Sequence, residues 1–330
     1  MRRPHLALIV SLAAALAGAG CKDSANQAVP ATGSAISAPT TGAAVGSAAD
    51  VDDPWAPKTA AAPMIERPLF WAATKDGTTT YLLGTIHMGI NADTQLPPWV
   101  KARLDGARAF AMEADIHDPK LLGLLSRTDG GSMRLDLGPA YWAKLEEAIG
   151  ADLAKGVDKM KPFTVMVMLE AKFLPMTLPM DSVLETRAKD GKKPIIYFEE
   201  GSRQLEIVEP FMTTAEVKAA LDHLDYAKTQ SAALLAAYQR GDDAALGKQF
   251  DDQTLWLAAG RDPAQFPAFI DALLGKRNAS WIPAIEKLHA EGGGFVAVGA
   301  GHLVGPANVL DMLRERGFTI TRVTGAAGDP

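Results

Sequence analysis

Short apolar runs of strand length alternate with stretches of helical spacing along most of this chain, and no other feature restricts its fold so much. "RPLFWAAT" and "TTTYLLG" flank Lys75-Asp76-Gly77, and Asp-Gly between β-prone runs marks a tight hairpin. "RAFAMEAD", "GKKPIIYFEE", "FVAVGAGHLVG" and "FTITRV" supply four further candidate strands. Between them, "WVKARLDGA", "GPAYWAKLEEAIG", "PFTVMVMLEAKFL", "TAEVKAALDHLDYAKTQSAALLAAYQRGD" and "WIPAIEKLHAEGGG" carry apolar residues at helical intervals, with Gly or Pro near their ends. The alternation predicts an α/β fold: a central mixed, mostly parallel sheet flanked by helices, with a helical middle segment. The opening hairpin is what makes the sheet mixed. Met160, Met166, Met168, Met176 and Met180 read as flexible core filling rather than a ligand groove.

Two of the candidate strands end in the same way. "GTIH" at 84–87 and "GAGH" at 299–302 share the form Gly-x-x-His, each directly after an apolar run. With 30 Gly and 6 His in 330 positions, chance alone places roughly 0.5 such matches, so two at two strand ends are informative. Ligands of open α/β sheets bind outside the carboxyl ends of the strands, where glycine lets the backbone approach them closely. His87, His302, Glu113 and Glu199 all fall at such ends. Two imidazoles and a carboxylate suit a catalytic divalent ion, which takes three protein ligands and keeps one position open. With Cys21 lipidated no thiolate is available, so an N/O-ligated Zn, Mn, Co or Fe is expected, with Mn, Co or Zn favoured. The other histidines, His5, His117, His223 and His289, lack the glycine context, and His117, His223 and His289 read as surface residues.

Composition removes other classes. A net charge of -6 without a basic stripe gives no footing for nucleic acid. There is no G-x-S-x-G elbow for a nucleophilic serine, and "GGGF" lacks the Lys and Ser/Thr of a phosphate loop. Residues 1–20 have the anatomy of an export signal: Arg2 and Arg3, an apolar Leu6–Leu16 core, then small residues up to Cys21. Cys21 is the single cysteine, so no intrachain disulfide forms. The signal resembles that of bacterial lipoproteins, which implies lipidation of Cys21, with ordinary cleavage near Gly20 as the alternative. Lys22, in place of an inner-membrane retention Asp, favours the outer membrane. Residues 21–62 are rich in Ala, Ser, Thr, Gly and Pro and have little to bury, so they read as a disordered tether spanning roughly 35 Å. The folded domain is expected over 63–330.

"YLLGTIHMG", "AMEAD", "PMDSVLETRAKDGKKPIIYFEEGSRQL", "RNASW" and "VGAGHLVGPANVLDMLRERG" occur in that order. Through them the chain resembles the TraB/GumN family, related to the Tiki metalloproteases. The resemblance implies an exported or tethered metal-dependent hydrolase acting on a peptide or protein substrate. It implies His87 and His302 as metal ligands and Glu113 as ligand or general base. Arg277 and Asn278 match an Arg-Asn pair suited to holding a substrate carboxylate or a developing oxyanion. Asp181, Glu199 and Gln204 match a middle motif with no assigned role. The wider superfamily also suggests an alternative: a non-enzymatic haem- or metal-binding envelope lipoprotein.

Overall fold

A computed structural model describes residues 63–326 apart from 116, 117 and 119, together with Asp329. The signal segment, Cys21, the tether, His5 and His117 lie outside the described residues. Among the described residues six strands form one sheet: β1 (Phe70–Lys75), β2 (Thr78–Thr85), β3 (Phe110–Ala114), β4 (Ile195–Glu199), β5 (Phe295–Gly299) and β6 (Thr319–Arg322). Their order is β4-β3-β5-β2-β1-β6. β1 pairs antiparallel with β2 and β6, whereas β2–β5, β5–β3 and β3–β4 are parallel, so the sheet is mixed and mostly parallel as expected.

The hairpin turns where the sequence places it. Asp76 and Gly77 have φ of 49° and 77°, and two positive-φ residues are what a two-residue turn needs to follow the strand twist. β3 and β5 are buried at every position, because strands covered by helices on both faces have no solvent side. At the amino ends of these parallel strands Phe110 and Phe295 stack at 6.2 Å, and Phe70 lies 5.5 Å from both Phe295 and Tyr81. That aromatic plug closes one edge of the sheet. The opposite edge, where β2, β3, β4 and β5 all end, is left to polar side chains.

The middle of the chain is helical, with two departures from its periodicity. The helix Met133–Ile149 is kinked at Gly138, whose φ is 74°. The run 214–242 is two helices, Thr214–Asp222 and Leu224–Arg240, meeting at His223. Apolar spacing continues through His223, so periodicity alone cannot see the break. Met166 and Met180 are core residues as expected, but Met176 is 63 % exposed. His223 is exposed, whereas His289 corrects its surface assignment: it is buried, with Thr80 Oγ1 at 2.9 Å and the Lys75 carbonyl at 3.1 Å. Both partners come from the hairpin, which no helical pattern reveals.

Glu170, in the buried helix Pro162–Ala171, is 8 % exposed, and its Oε2 has no hydrogen-bond partner. Burial pushes its carboxyl well above the ordinary value. The folded state therefore holds a proton there that the unfolded chain releases above about pH 4.5, and stability falls as pH rises through that window. Glu170→Gln is expected to unfold at higher denaturant concentration than the native chain at pH 8, by about 1–3 kcal/mol. The difference should vanish at pH 4, as urea titrations at the two pH values will show.

Candidate functional site

The four parallel strands deliver their polar residues to one edge. Gly299 ends β5 in register with Thr85, which ends β2, and Glu199 ends β4 in register with Ala114 of β3. His87 follows β2 by two residues, His302 lies in the short helix Gly301–Val304 just after β5, and Glu113 is the penultimate residue of β3. The 215 positions between the two histidines are thus closed by strand pairing.

Each imidazole is anchored through Nδ1. His87 Nδ1 is 2.5 Å from Asp181 Oδ2, while the other oxygen of Asp181 accepts from Thr85 Oγ1 at 2.9 Å. Asp181 stands in the first turn of the helix Met180–Asp190 and is 3 % exposed. His302 Nδ1 is 2.6 Å from Asn278 Oδ1, and the Asn278 amide donates from Nδ2 to Ala307 O at 2.8 Å. A carboxylate and an amide oxygen only accept, so Nδ1 carries a hydrogen in both rings, and Nε2 is the nitrogen with the lone pair whenever the ring is neutral. His87 Nε2 is buried with no partner.

Glu113 lies between them. Its Oε1 accepts from Gly299 N at 2.6 Å and is 3.6 Å from His302 Nε2, and its Oε2 accepts from Arg277 Nη2 at 2.7 Å and Gln204 Nε2 at 2.6 Å. A Cβ at residue 299 would stand 3.1 Å from Glu113 Oε1, 3.6 Å from His87 Nε2 and 3.7 Å from His302 Cδ2. Gly299 therefore floors a cradle bounded by the carboxylate and both imidazoles.

Arg277, 3 % exposed, fills the remaining side. It opens the helix Lys276–Ala290, straight after a π-turn at Asp271–Gly275, an irregularity that is often found at functional sites. Its guanidinium pairs with Glu199 at 2.6 Å and with Glu113, donates from Nη1 to His302 Nε2 at 3.1 Å, and packs over Trp281. Trp281 also lies 4.4 Å from the His302 ring and donates to Glu199 Oε2 at 3.3 Å. With Arg277 interposed, no three His, Cys, Asp or Glu side chains among the described residues stand together as a ready-made metal cluster.

The electrostatics follow from burial and these partners. Burial opposes ionisation of Glu113, but the Arg277 guanidinium and the Gly299 N–H hold its carboxyl well below the usual carboxylate range. A carboxyl held that low is a permanent anion and a poor proton acceptor. Burial, aided by Arg277 and His87 and opposed by Glu113, drops His302 to about 3, so its ring is neutral. Burial also works against charging His87, yet Asp181 and Glu113 together raise it. Glu199 is pushed up by burial against the pull of Arg277. Glu113 and Glu199 thus share one guanidinium, while Asp181 faces His87.

The structure gathers all the sequence candidates: His87, His302, Glu113, Arg277, Asn278, Asp181, Glu199 and Gln204. Asn278 faces His302 rather than an open cleft. Thr85, Gly299 and Trp281 are additional members, and Trp281 was readable as the residue one helical turn beyond Arg277. A family model described as the TraB/PrgY/gumN family matches residues 69–322. The chain belongs to the TraB/PrgY/gumN family. The matched span runs from the residue before β1 to the last residue of β6, so this TraB/PrgY/gumN sheet and every site residue fall inside it. An uncharacterized protein of Treponema pallidum (strain Nichols) is 22 % identical over 270 residues, covering 75 % of this chain and 80 % of that protein. No solved structure matches the chain.

Proposed function

We propose that this TraB/PrgY/gumN domain is a metal-dependent hydrolase of peptide bonds, exported and held at the cell envelope, with the outer membrane favoured, by a lipid on Cys21. Among the described residues no helix is long and apolar enough to cross a membrane, and the lipid is the attachment proposed. The observation that carries the reading is the pair of Nδ1-anchored imidazoles at one cradle, His87 turning Nε2 toward it and His302 setting Nε2 3.6 Å from the buried Glu113 carboxylate.

The donor chemistry fits a divalent ion of the Mn, Co or Zn kind: His87, His302 and Glu113 would hold it. A bound ion supplies an acidified water and a polarised substrate carbonyl. Asp181 and Asn278 would act as the outer partners that fix each ligating ring. The Nη1 N–H of Arg277 that now points at His302 Nε2 would be released once that nitrogen serves as a ligand, and would then meet the carbonyl oxygen as it gains charge. Peptide hydrolysis then delivers hydroxyl to the acyl carbon and a proton to the departing amine as the C–N bond breaks.

The test uses the full-length chain stripped with chelator and offered a defined peptide mixture with Mn²⁺, Co²⁺ or Zn²⁺, products being read by mass spectrometry. Cleavage is expected with ion, and none in chelator or in His87→Ala/His302→Ala. Equal cleavage by the double variant sinks the reading. A colourless preparation is also expected, since a Soret band lost in His87→Ala would mark a haem binder instead. Asp181→Asn keeps the ligand atoms but loses the anion behind His87, and is expected to weaken Mn²⁺ binding about 10–100-fold by titration.

A further inference from the structure

Beside the Gly299 cradle lies a cavity of about 40 Å³. Leu234, Leu246 and Phe250, from the helical middle segment, wall it against the end of β2 and the Ala300–Gly301 turn. Glycine at 301 is what lets the aromatic wall close on that turn, for a Cβ there would come within 2.4 Å of Phe250 Cζ. Most polar groups on the lining are already committed: the Tyr238 hydroxyl donates to Gly84 O at 2.7 Å and Thr85 Oγ1 to Asp181. Two are not. His87 Nε2 and Gln249 Oε1 are both buried without a partner, and Gln249 is only 4 % exposed. A buried amide oxygen left unpaired is costly, and such a group calls for an explanation, which a bound ligand supplies.

We propose that this cavity is a substrate pocket. In it Gln249 accepts a hydrogen bond from a main-chain N–H of a bound peptide, while Leu234, Leu246 and Phe250 enclose a small aliphatic side chain. The assignment rests on the hydrolase reading, because His87 is one of the pocket's lining residues. Its volume sets the class of side chain: an apolar cavity of about 150 Å³ is what holds benzene, so this one admits a methyl- to isopropyl-sized group and excludes a ring. No Lys, Arg, Asp or Glu lines it, and a charged side chain finds no counter-ion there.

The test uses the full-length chain and the peptides acetyl-Ala-X-Ala-amide with X as Ala, Val, Phe or Lys. Binding is measured by calorimetry on the chelator-treated protein, and cleavage separately with Mn²⁺. The Ala and Val peptides are expected to bind at least tenfold tighter than the Phe and Lys peptides. Gln249→Met, which keeps the side-chain volume and removes the acceptor, should weaken them at least tenfold. Leu246→Phe fills the cavity from another wall, should abolish the preference for Ala and Val, and decides the matter alone if the Gln249 variant does not fold. Binding of all four peptides alike, binding of none at millimolar concentration, or indifference to both variants overturns the pocket. Peptides bound in the expected pattern but never cut defeat the hydrolase reading and leave the pocket standing. Cleavage indifferent to X and to Gln249 does the reverse.

Discussion

Arg277→Met is expected to destabilise the fold by about 3–5 kcal/mol, the cost of breaking a buried ion pair from one side. Methionine replaces much of the aliphatic volume, so the loss comes from the charge. Glu113 and Glu199, 5 % exposed and largely buried respectively, lose the guanidinium they share and are left as neighbouring carboxylates. The comparison is Arg314→Met: Arg314 pairs with Asp311 on an exposed helix face, both side chains at least half accessible. Such pairs contribute about 0–0.5 kcal/mol. Urea unfolding of the two variants at pH 7 separates the cases. The double variant Glu113→Gln/Arg277→Met should recover part of the loss, since the stranded anion is gone, and a cycle with both single variants measures the coupling. An Arg277→Met midpoint indistinguishable from that of Arg314→Met would show that the guanidinium is solvated and that the cluster is not a buried network.

How far this site could be read in the sequence depends on where each residue sits. His87 and His302 stand out because strand ends have a local signature: an apolar run, a glycine, then a polar side chain. Glu113 shows only part of it, as the first charge after the apolar "AFAM" with no glycine between. Parallel pairing of β2, β5 and β3 then does what the alternation of strands and helices implies, bringing these ends together. Asp181, Asn278 and Gln204 are different. They lie on helices, and which turn of a helix faces the sheet edge is decided by packing, so nothing near Asp181 in the chain announces that its carboxylate fixes His87. The same limit hides Gln249, whose neighbours "GKQFDD" read as solvated, and His289, whose partners come from the hairpin. The break at His223 was illegible because both helices bury one continuous apolar stripe.

The other large effect expected is on ion binding. His87→Ala/His302→Ala should reduce divalent metal in the full-length chain from about one ion per molecule to none, by elemental analysis after exposure to Mn²⁺. Two of the three proposed ligands are lost, so the fall in affinity goes well beyond the about 10–100-fold of an outer partner. Gly299→Val carries the argument further because it leaves every proposed ligand in place. Its Cβ would stand 3.1 Å from Glu113 Oε1 and 3.6 Å from His87 Nε2, filling the space an ion needs. If the three donors serve one ion, both variants lose it together. If His87 and His302 are instead a structural pair, Gly299→Val retains whatever metal the native chain holds. Equal metal in the native chain and both variants removes the ion from the site, and leaves the His87–Asp181 and His302–Asn278 pairs as parts of the buried hydrogen-bond network alone.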